Sequence, residues 1–439
     1  MKLPASTLVC AGCGTEVPPD DPYPFACPRA GEGDVDHVLR RVLDLSRTAW
    51  PDGDDPRPFV RFRTLLHSYR FGRAHGLSDR ALVRMIERLD DRVAAVDGHG
   101  FRVTPLVHSQ ALGAWAKDET HNVSGSHKAR HLFGVMLQLE IAARLGLGTG
   151  RRSLAIASCG NAALAAAVVA AAAGRILDVF VPEDAEPAVL SRLEQLGARI
   201  TVCPRDPSVP GDPTVVRLRE ALANGALPFT CQGDLNGLAI EGGHTLAWEL
   251  AASGLELDRI VVQVGGGALA SAVAGGLQEA WTLGAIERLP RVDTVQTRGA
   301  WPLKRALDAI RSHPGGLAYA RTHRSEFMWP WETPPQSVAH GILDDETYDW
   351  AAVCEAMLAT GGDALVVDEE TLRSANALAR RETGIPVDPT GSSGLAGLVA
   401  LREAGAIGDD ERVAVLFTGV DRTLATPTEG RIHEELSRA

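Results

Sequence analysis

From Thr104 onward the chain alternates short apolar runs with longer segments of helical periodicity. This alternation is typical of a parallel sheet whose strands are joined by crossover helices. Helices are predicted over an alanine-rich run that starts at Asn161 and stops at Gly174, and over residues 185–196. The pattern predicts strands at residues 153–157, 179–181, 199–202, 228–230, 260–264, 293–297 and 413–418.

The first 95 residues have a different character. They hold proline-rich turns, many arginine and aspartate residues and three of the seven cysteines. Two amphipathic helices are predicted there, near residues 35–46 and 78–95. Residues 312–345 contain Pro-Gly-Gly, Trp-Pro-Trp and Pro-Pro, which predict a long ordered loop of the kind that serves as a lid.

Composition and charge exclude several functions. The net charge of −12 comes without a basic cluster, which argues against nucleic acid as a partner. The longest apolar run near the middle, residues 162–173, is too short to cross a bilayer, and Met1 is not followed by the apolar core of a signal peptide. Seven scattered cysteines disfavour a secreted disulfide framework. We therefore expect a cytoplasmic protein with no membrane partner.

Lys128 is the first candidate for chemistry. It follows the segment Asn-Val-Ser-Gly-Ser-His and opens an apolar helical run. An amine that attacks an aldehyde must lose its proton, and burial favours that loss. Small hydroxyl and glycine residues ahead of such a lysine indicate an amine that holds an aldehyde cofactor covalently. The alternative is an exposed lysine on the first turn of a helix.

Three later segments follow predicted strands. Residues 158–161 read Ser-Cys-Gly-Asn, residues 265–267 are the triple-glycine turn, and Thr418 ends the last strand. Ligands of parallel α/β sheets bind beyond the carboxyl ends of strands, so we expect one shared cleft. Free N–H groups at a helix start can hold a phosphate or a carboxylate. The plainer alternatives are that Asn161 only caps a helix, that residues 265–267 only form a tight strand–helix turn, and that Thr418 is only a β-branched residue at a strand end.

Together these segments resemble the pyridoxal-phosphate (PLP) enzymes of fold type II. This group includes threonine synthases, threonine and serine dehydratases, cysteine synthases and the tryptophan synthase β subunit. The resemblance spans roughly residues 100–425. It implies an α/β protein with two three-layer αβα domains and an N-terminal cysteine-containing, partly helical extension. The expected divisions are residues 1–95 for the extension, 96–149 with 228–439 for a large cofactor-binding domain, and 150–227 for a small domain. Members of this group usually form dimers or larger assemblies, so the resemblance implies a homodimer.

The resemblance also assigns roles. Lys128 would be the catalytic residue, holding the cofactor and then acting as general base. The start of the helix after residue 157 would bind the substrate carboxylate, through Ser158, Cys159, Gly160 and Ala162. Cofactor contacts would come from Lys128, His127, Asn161, Gly265, Gly266, Gly267, Ala268 and Thr418. The neutral hydroxyl of Thr418 against the pyridine nitrogen would favour elimination at the β carbon.

The reaction implied is a β-elimination by a PLP-dependent lyase. Its substrate would be a small hydroxy amino acid such as threonine or serine, converted to a keto acid and ammonia. The glycine turn and the segment 337–342 favour this reading. A threonine synthase acting on O-phosphohomoserine is favoured by Thr418 and the N-terminal cysteines, and a β-replacing synthase by His127. A non-catalytic PLP-binding regulatory protein remains open. A dinucleotide-dependent oxidoreductase would need an acidic strand end after the turn, and Glu287 lies in the wrong context.

The N-terminal cysteines form a separate motif. Cys10-x-x-Cys13 followed by Cys27 resembles the small zinc ribbon that precedes some threonine synthases. A full ribbon needs a fourth ligand, and Ala30 stands where it is expected. His37 could supply it at an unusual spacing. The alternatives are therefore a structural zinc on Cys10, Cys13 and Cys27, or a degenerate ribbon with reduced thiols.

Overall fold

The computed structural model describes residues 6–148, 152–205, 212–408 and 410–423. Its strands are β1 (Ser6–Cys10), β2 (Leu39–Leu43), β3 (Leu106–Ser109), β4 (Ala114–Asp118), β5 (Leu154–Ala157), β6 (Leu177–Pro182), β7 (Arg199–Cys203), β8 (Leu227–Pro228), β9 (Arg259–Gln263), β10 (Arg291–Thr297), β11 (Ala364–Val367) and β12 (Val413–Phe417). Its helices are α1 (Pro58–Arg61), α2 (His67–Ala74), α3 (Asp79–Asp97), α4 (Lys128–Arg144), α5 (Asn161–Ala172), α6 (Pro187–Gln195), α7 (Pro213–Ala223), α8 (Leu238–Ala251), α9 (Ala268–Thr282), α10 (Pro302–Ser312), α11 (Gly316–Ala320), α12 (Trp350–Thr360), α13 (Glu369–Thr383) and α14 (Ser393–Glu403).

The larger sheet has six strands in the order β11-β10-β9-β12-β4-β3. Neighbouring strands run parallel except β3, which pairs antiparallel with β4. Every residue of β9 and β12 is buried, as expected for parallel strands covered on both faces by helices. The last strand, β12, lies between β9 and β4. The carboxyl ends of these three strands therefore share one edge.

The second sheet has four parallel strands in the order β7-β6-β5-β8, drawn from residues 154–228. Helix α5 follows β5 and packs against α3 and α4. Its sequence is almost entirely alanine and valine, and most of its residues are buried. A helix without a polar face is stable only when it is surrounded, so α5 forms the core of this half of the molecule.

Each of the seven predicted strands overlaps a strand of the structure, from β5 to β10 and β12. Strands β1 to β4 and β11 were not predicted. The helix predicted near 78–95 is confirmed as α3, which Ser78 caps by accepting from the Ala81 N–H and which ends at the left-handed Gly98. Among the described residues, no helix is both long and apolar enough to cross a membrane.

The helix predicted near residues 35–46 is wrong. Residues 39–43 form β2, paired antiparallel with β1 from Leu39↔Cys10 to Leu43↔Ser6, and a 3₁₀ turn follows at Leu45–Arg47. Tertiary pairing overrides the apolar spacing, which fits a short helix equally well. The predicted loop at 312–345 begins at the end of α10 and contains α11 and 3₁₀ turns at Arg324–Glu326 and His340–Ile342.

Candidate active site

Lys128 follows a strained turn. A 3₁₀ turn at Val123–Gly125 holds Ser124 at φ 57°, and Gly125 follows at φ 68°. Ser124 is the one non-glycine residue with positive φ in the described chain. A left-handed serine costs conformational energy and persists only where its surroundings fix it. The turn reverses the chain so that Lys128 becomes the first residue of α4.

The lysine segment pairs with the chain that leaves β12. Ser126 forms an antiparallel bridge with Gly419. The N–H of His127 donates to the carbonyl of Thr418 at 3.1 Å, and the N–H of Val420 donates to the carbonyl of Gly125 at 2.9 Å. These backbone bonds hold the start of α4 against the end of the central strand. Lys128 and Thr418 are thereby brought together.

Lys128 is partly buried, and its amine makes no hydrogen bond or ion pair with any described residue. Its charge nevertheless acts on its neighbours. Burial raises the pKa of Asp344 to about 6, and the Lys128 ammonium opposes that shift. Burial lowers the pKa of His127 well below its ordinary value and that of His131 to about 3, with Lys128 lowering both further. Both imidazoles are therefore neutral at pH 7, so neither adds a positive charge beside Lys128.

Two buried polar atoms beside the lysine are unsatisfied. The Oγ of Ser126 and the Nε2 of His127 have no hydrogen-bond partner within the part of the chain that the structure describes. His127 Nδ1 lies 3.2 Å from the carbonyl of Thr418, and since a carbonyl only accepts, Nδ1 carries the proton. Buried orphan atoms are costly unless a ligand or water satisfies them. They mark the space next to Lys128 as a place for a polar group.

The glycine turn, residues 265–267, lies between β9 and α9. Gly267 adopts φ 93° and caps α9. A Cβ added to Gly265 would clash with Asp344 Oδ2, so this carboxyl lies against the turn. Burial raises the pKa of Asp344, and the Gly266 N–H lowers it by a smaller amount. Thr347 Oγ1 donates to the carbonyl of Gly265 at 2.9 Å. A Cβ at position 266 would stand 2.8 Å from the ring of Tyr348, so a side chain has no room. The turn already receives an anionic oxygen, the chemistry that a phosphate requires.

Asn161 lies at the start of α5, beside the chain that follows Thr418. A Cβ added to Gly419 would stand 2.9 Å from Asn161 Nδ2. Arg422 Nη2 donates to Asn161 Oδ1 at 2.9 Å and to the carbonyl of Ser124 at 2.7 Å. One guanidinium therefore joins the smaller sheet to the lysine segment. Because Arg422 lies beside the start of α5, its positive charge adds to the N–H groups there as a means of binding a substrate carboxylate.

The other predicted carboxylate-binding residues, Ser158, Cys159, Gly160 and Ala162, are half-buried at the same helix start. The N–H of Gly160 lies 3.4 Å from the Oγ of Ser158. Burial raises the pKa of the Cys159 thiol, with Asp184 adding to the effect. A protonated thiol is a poor nucleophile, so we assign Cys159 no covalent role. Ala268 is buried at the start of α9, directly after the glycine turn.

The Thr418 hydroxyl is held by a side chain that the sequence did not single out. Gln263, the last residue of β9, donates from Nε2 to Thr418 Oγ1 at 2.8 Å and to the carbonyl of Gly391 at 2.8 Å. Asp388 lies nearby, and its N–H donates to the carbonyl of Gly419 at 3.0 Å. Burial raises the pKa of Asp388 to about 7. This carboxyl can therefore exchange a proton near neutral pH.

A network of buried ion pairs holds the first turn of α4. Arg130 is fully buried and donates to Glu119 at 2.7 Å and to Glu249 at 2.6 Å. Lys117 Nζ donates to Glu249 at 2.6 Å. Two cations thus face two carboxylates, so the buried charge is balanced. Because Arg130 is two residues from Lys128, the network fixes the first turn of α4.

The structure brings Lys128, Asn161 and Thr418 together at the carboxyl end of β12. The glycine turn lies at the same edge of the larger sheet, after the neighbouring strand β9. It also shows three contributors that sequence reasoning missed, Gln263, Asp344 and Arg422. Gln263 could have been found as the polar residue in an otherwise apolar strand. Asp344 and Arg422 reach the cleft by tertiary contacts that no local pattern shows. The cysteines Cys10, Cys13 and Cys27 gather with His37 in the N-terminal part.

Comparison with known proteins identifies this arrangement. Residues 99–419 match the family described as "Pyridoxal-phosphate dependent enzyme". The chain belongs to that family, and pyridoxal phosphate is the cofactor that the family implies. The unpaired Lys128 amine, the orphan atoms beside it and the anion-receiving turn fit that cofactor. A dinucleotide-binding reading of the glycine turn is therefore set aside.

The chain is also similar to individual proteins of known name. The threonine synthase of Methanosarcina acetivorans is 30% identical over 314 residues, covering 70% of this chain and 69% of the relative. The serine dehydratase-like protein of Mus musculus is 33% identical over 231 residues, covering 51% of this chain and 64% of the relative. The solved threonine deaminase isoform 2 of Solanum lycopersicum has a TM-score of 0.58 at 15% identity, covering 83% of this chain and 95% of the other. The predicted fold class is confirmed.

Proposed function

We propose that this protein is a PLP-dependent lyase that converts a small hydroxy amino acid, of the serine or threonine type, to a keto acid and ammonia. The observation that carries the proposal is the unpaired amine of Lys128, on a segment whose backbone is hydrogen-bonded through His127 to Thr418. Bound pyridoxal phosphate would supply an electron sink for charge that develops at the substrate Cα. A hydroxyl against its ring nitrogen makes that sink mild, which favours loss of a β substituent over transamination.

The residues divide the work. Lys128 holds the cofactor and afterwards takes the Cα proton as general base. The N–H groups at the start of α5, with Arg422, bind the substrate carboxylate, and Asn161 orients the cofactor from the same edge. The glycine turn holds the phosphate. Arg130 keeps the first turn of α4 in place while Lys128 moves a proton.

Electrostatics favour an uncharged β substituent. Asp344 lies against the glycine turn, and burial raises its pKa to about 6, so its carboxyl is ionised at pH 7. A second phosphate, carried by the substrate, would meet this carboxylate as well as the cofactor phosphate. A hydroxy amino acid brings no such charge.

A threonine synthase that uses O-phosphohomoserine is the second candidate. It is favoured by the 30% identity to an enzyme of that name and by Arg422, a cation at the cleft. Incubating the holoenzyme with serine, threonine and O-phosphohomoserine separates the candidates. Keto acid with equimolar ammonia supports the lyase, whereas phosphate release with threonine formation supports the synthase. A D-amino acid as the main product would contradict both.

The lysine assignment has its own test. Borohydride treatment of the holoenzyme should fix the cofactor to Lys128, seen as added mass on the peptide that contains it. Lys128→Ala should lose both the added mass and all turnover. Lys304→Ala is the matched control, because Lys304 lies on a surface helix in an ion pair with Asp308. Cofactor mass on another lysine would overturn the assignment.

A further inference from the structure

Four side chains of the N-terminal segment converge on one point. Cys10 ends β1, Cys13 lies in the turn that follows it, Cys27 lies in a later turn, and His37 precedes β2. Their ligand atoms all lie within 4.8 Å of one another. The Sγ atoms of Cys13 and Cys27 are 3.6 Å apart, and Cys10 Sγ is 3.6 Å from His37 Nδ1.

These spacings suit a metal ion. Zinc binds thiolate sulfur at about 2.3 Å and imidazole nitrogen at about 2.0 Å in tetrahedral geometry, which places ligand atoms roughly 3.5–3.8 Å apart. The Cys13–Cys27 and Cys10–His37 distances both match the separation of two ligand atoms around such an ion. A disulfide between Cys13 and Cys27 would need a bond of about 2.05 Å. The seven cysteines, including these, are free.

The surroundings prepare the four atoms as ligands. The N–H of Cys13 faces Cys10 Sγ at 3.5 Å, and the N–H of Arg29 faces Cys27 Sγ at 3.3 Å, as backbone donors do around thiolates. His37 Nε2 lies 2.9 Å from the carbonyl of Glu32. A carbonyl only accepts, so Nε2 carries the proton and Nδ1 keeps its lone pair toward the sulfurs. A backbone partner on the distal nitrogen is the usual outer support of a metal-bound histidine.

We propose that Cys10, Cys13, Cys27 and His37 form a structural zinc site, in which His37 takes the place that Ala30 leaves empty in a four-cysteine ribbon. Thiolate sulfur with one imidazole selects zinc over hard cations. Four protein ligands leave no open position for substrate, which indicates a structural rather than a catalytic ion.

The site connects to the catalytic half of the molecule. Asp36, next to His37, accepts from Trp350 Nε1 at 3.0 Å, and Trp350 begins α12 directly after Asp349. From β2, the buried Arg41 pairs with Glu241 at 2.7 Å and with Glu279 at 2.6 Å. The ion would therefore hold a hairpin that clamps α8, α9 and the start of α12. This inference does not depend on the reaction proposed above.

Metal analysis of the purified full chain tests the site. We expect about one zinc per chain in the wild type, and loss of that zinc in Cys27→Ser and His37→Ala, with affinity weakened by more than roughly tenfold. Cys203→Ser and His99→Ala are controls for removing a thiol or an imidazole elsewhere. Absence of zinc from the wild type after growth and refolding with zinc, or full zinc content in both variants, would overturn the proposal.

Two further readouts separate a metal site from a packed cluster of thiols. Cobalt substitution should give the visible absorption of a tetrahedral thiolate complex, and His37→Ala should change it. A chelator should lower the melting temperature of the wild type, and added zinc should restore it, while the already metal-free Cys27→Ser variant should not respond. A Cys13–Cys27 disulfide in protein purified under reducing conditions would count against the site.

Discussion

Gln263 donates a hydrogen bond of 2.8 Å to the hydroxyl of Thr418, across the carboxyl ends of two adjacent parallel strands. Since the amide nitrogen is the donor, the hydroxyl oxygen is the acceptor and its proton is directed elsewhere. Thr418 can therefore donate a hydrogen bond into the cleft. The pair fixes a neutral donor at the position where the ring nitrogen of the cofactor is expected.

Replacing Thr418 tests this donor. Thr418→Ser keeps the hydroxyl and should keep most of the activity. Thr418→Val keeps the shape but removes the hydroxyl that accepts from Gln263, which still donates to the carbonyl of Gly391, so the loss of stability should be about 0.5–1.5 kcal/mol. We expect turnover to fall roughly tenfold or more in the valine variant, with a changed absorption spectrum of the bound cofactor. Equal spectra and rates in both variants would show that the hydroxyl does not contact the ring.

Asp344 should compete with the cofactor phosphate for the glycine turn. Above a pH of about 6 its carboxyl is ionised, and it lies against Gly265 in the turn. Asp344→Asn removes this competing charge, so we expect tighter cofactor binding at pH 8, by roughly tenfold, or about 1.4 kcal/mol. The gain should shrink below pH 6, where the wild-type carboxyl is protonated. Titrating both proteins with pyridoxal phosphate at several pH values, followed by absorbance, gives the ratio of their dissociation constants.

The same residue predicts a stability effect without cofactor. Its folded pKa lies above the unfolded value of 3.8, so the wild type loses stability as pH rises toward about 6. Asp344→Asn has no such loss and should gain melting temperature over the wild type at pH 8, with little gain at pH 4. Asp410→Asn, an exposed site, is the control. A pH-independent difference would contradict the assigned pKa.

Arg422 should matter for substrate rather than for folding. Its guanidinium is exposed and donates to both Asn161 and the carbonyl of Ser124. Arg422→Ala removes a cation from the carboxylate site, so we expect KM to rise several-fold while the melting temperature changes little. Arg298→Ala, on another exposed surface, should leave KM unchanged. A rise in KM that Arg422→Lys fails to reverse would indicate that the geometry of the fork, rather than its charge, is needed.

Glu249 is expected to be critical for stability. Glu249→Gln leaves the buried Lys117 without a carboxylate partner and Arg130 with that of Glu119 only. Breaking a buried pair in this way costs about 3–5 kcal/mol, measurable by denaturant unfolding of the cofactor-free protein. Asp308→Asn, in a surface pair with Lys304, should cost no more than about 1 kcal/mol. Similar losses in both variants would contradict the special role of the network.

The sequence predicted those elements that carry a strong local signal. Strands such as β9 and β12 are short apolar runs bounded by glycine, and their ends supplied the glycine turn and Thr418. Strand β4 escaped because it combines apolar residues with the charged Lys117 and Asp118. The burial of Lys117 depends on its ion pair with Glu249, more than a hundred positions away.

The candidate site shows the same division. Lys128 and Asn161 were predicted because each sits in a distinctive local motif at an element boundary. Asp344 was not, since its relation to Gly266 depends on how the chain after residue 340 folds back over the turn. His37 was weighed as a ligand at an unusual spacing, and only the β1–β2 hairpin explains how that spacing can work.

The placement of β12 has a consequence for how the protein matures. Translation yields β4 and β9 long before the strand that must enter between them. Until then two hydrogen-bonding edges stay open, and His127 has no Thr418 carbonyl to bind. Cofactor loading must therefore wait until β12 has emerged from the ribosome, and the unfinished polypeptide is the form most in need of a chaperone.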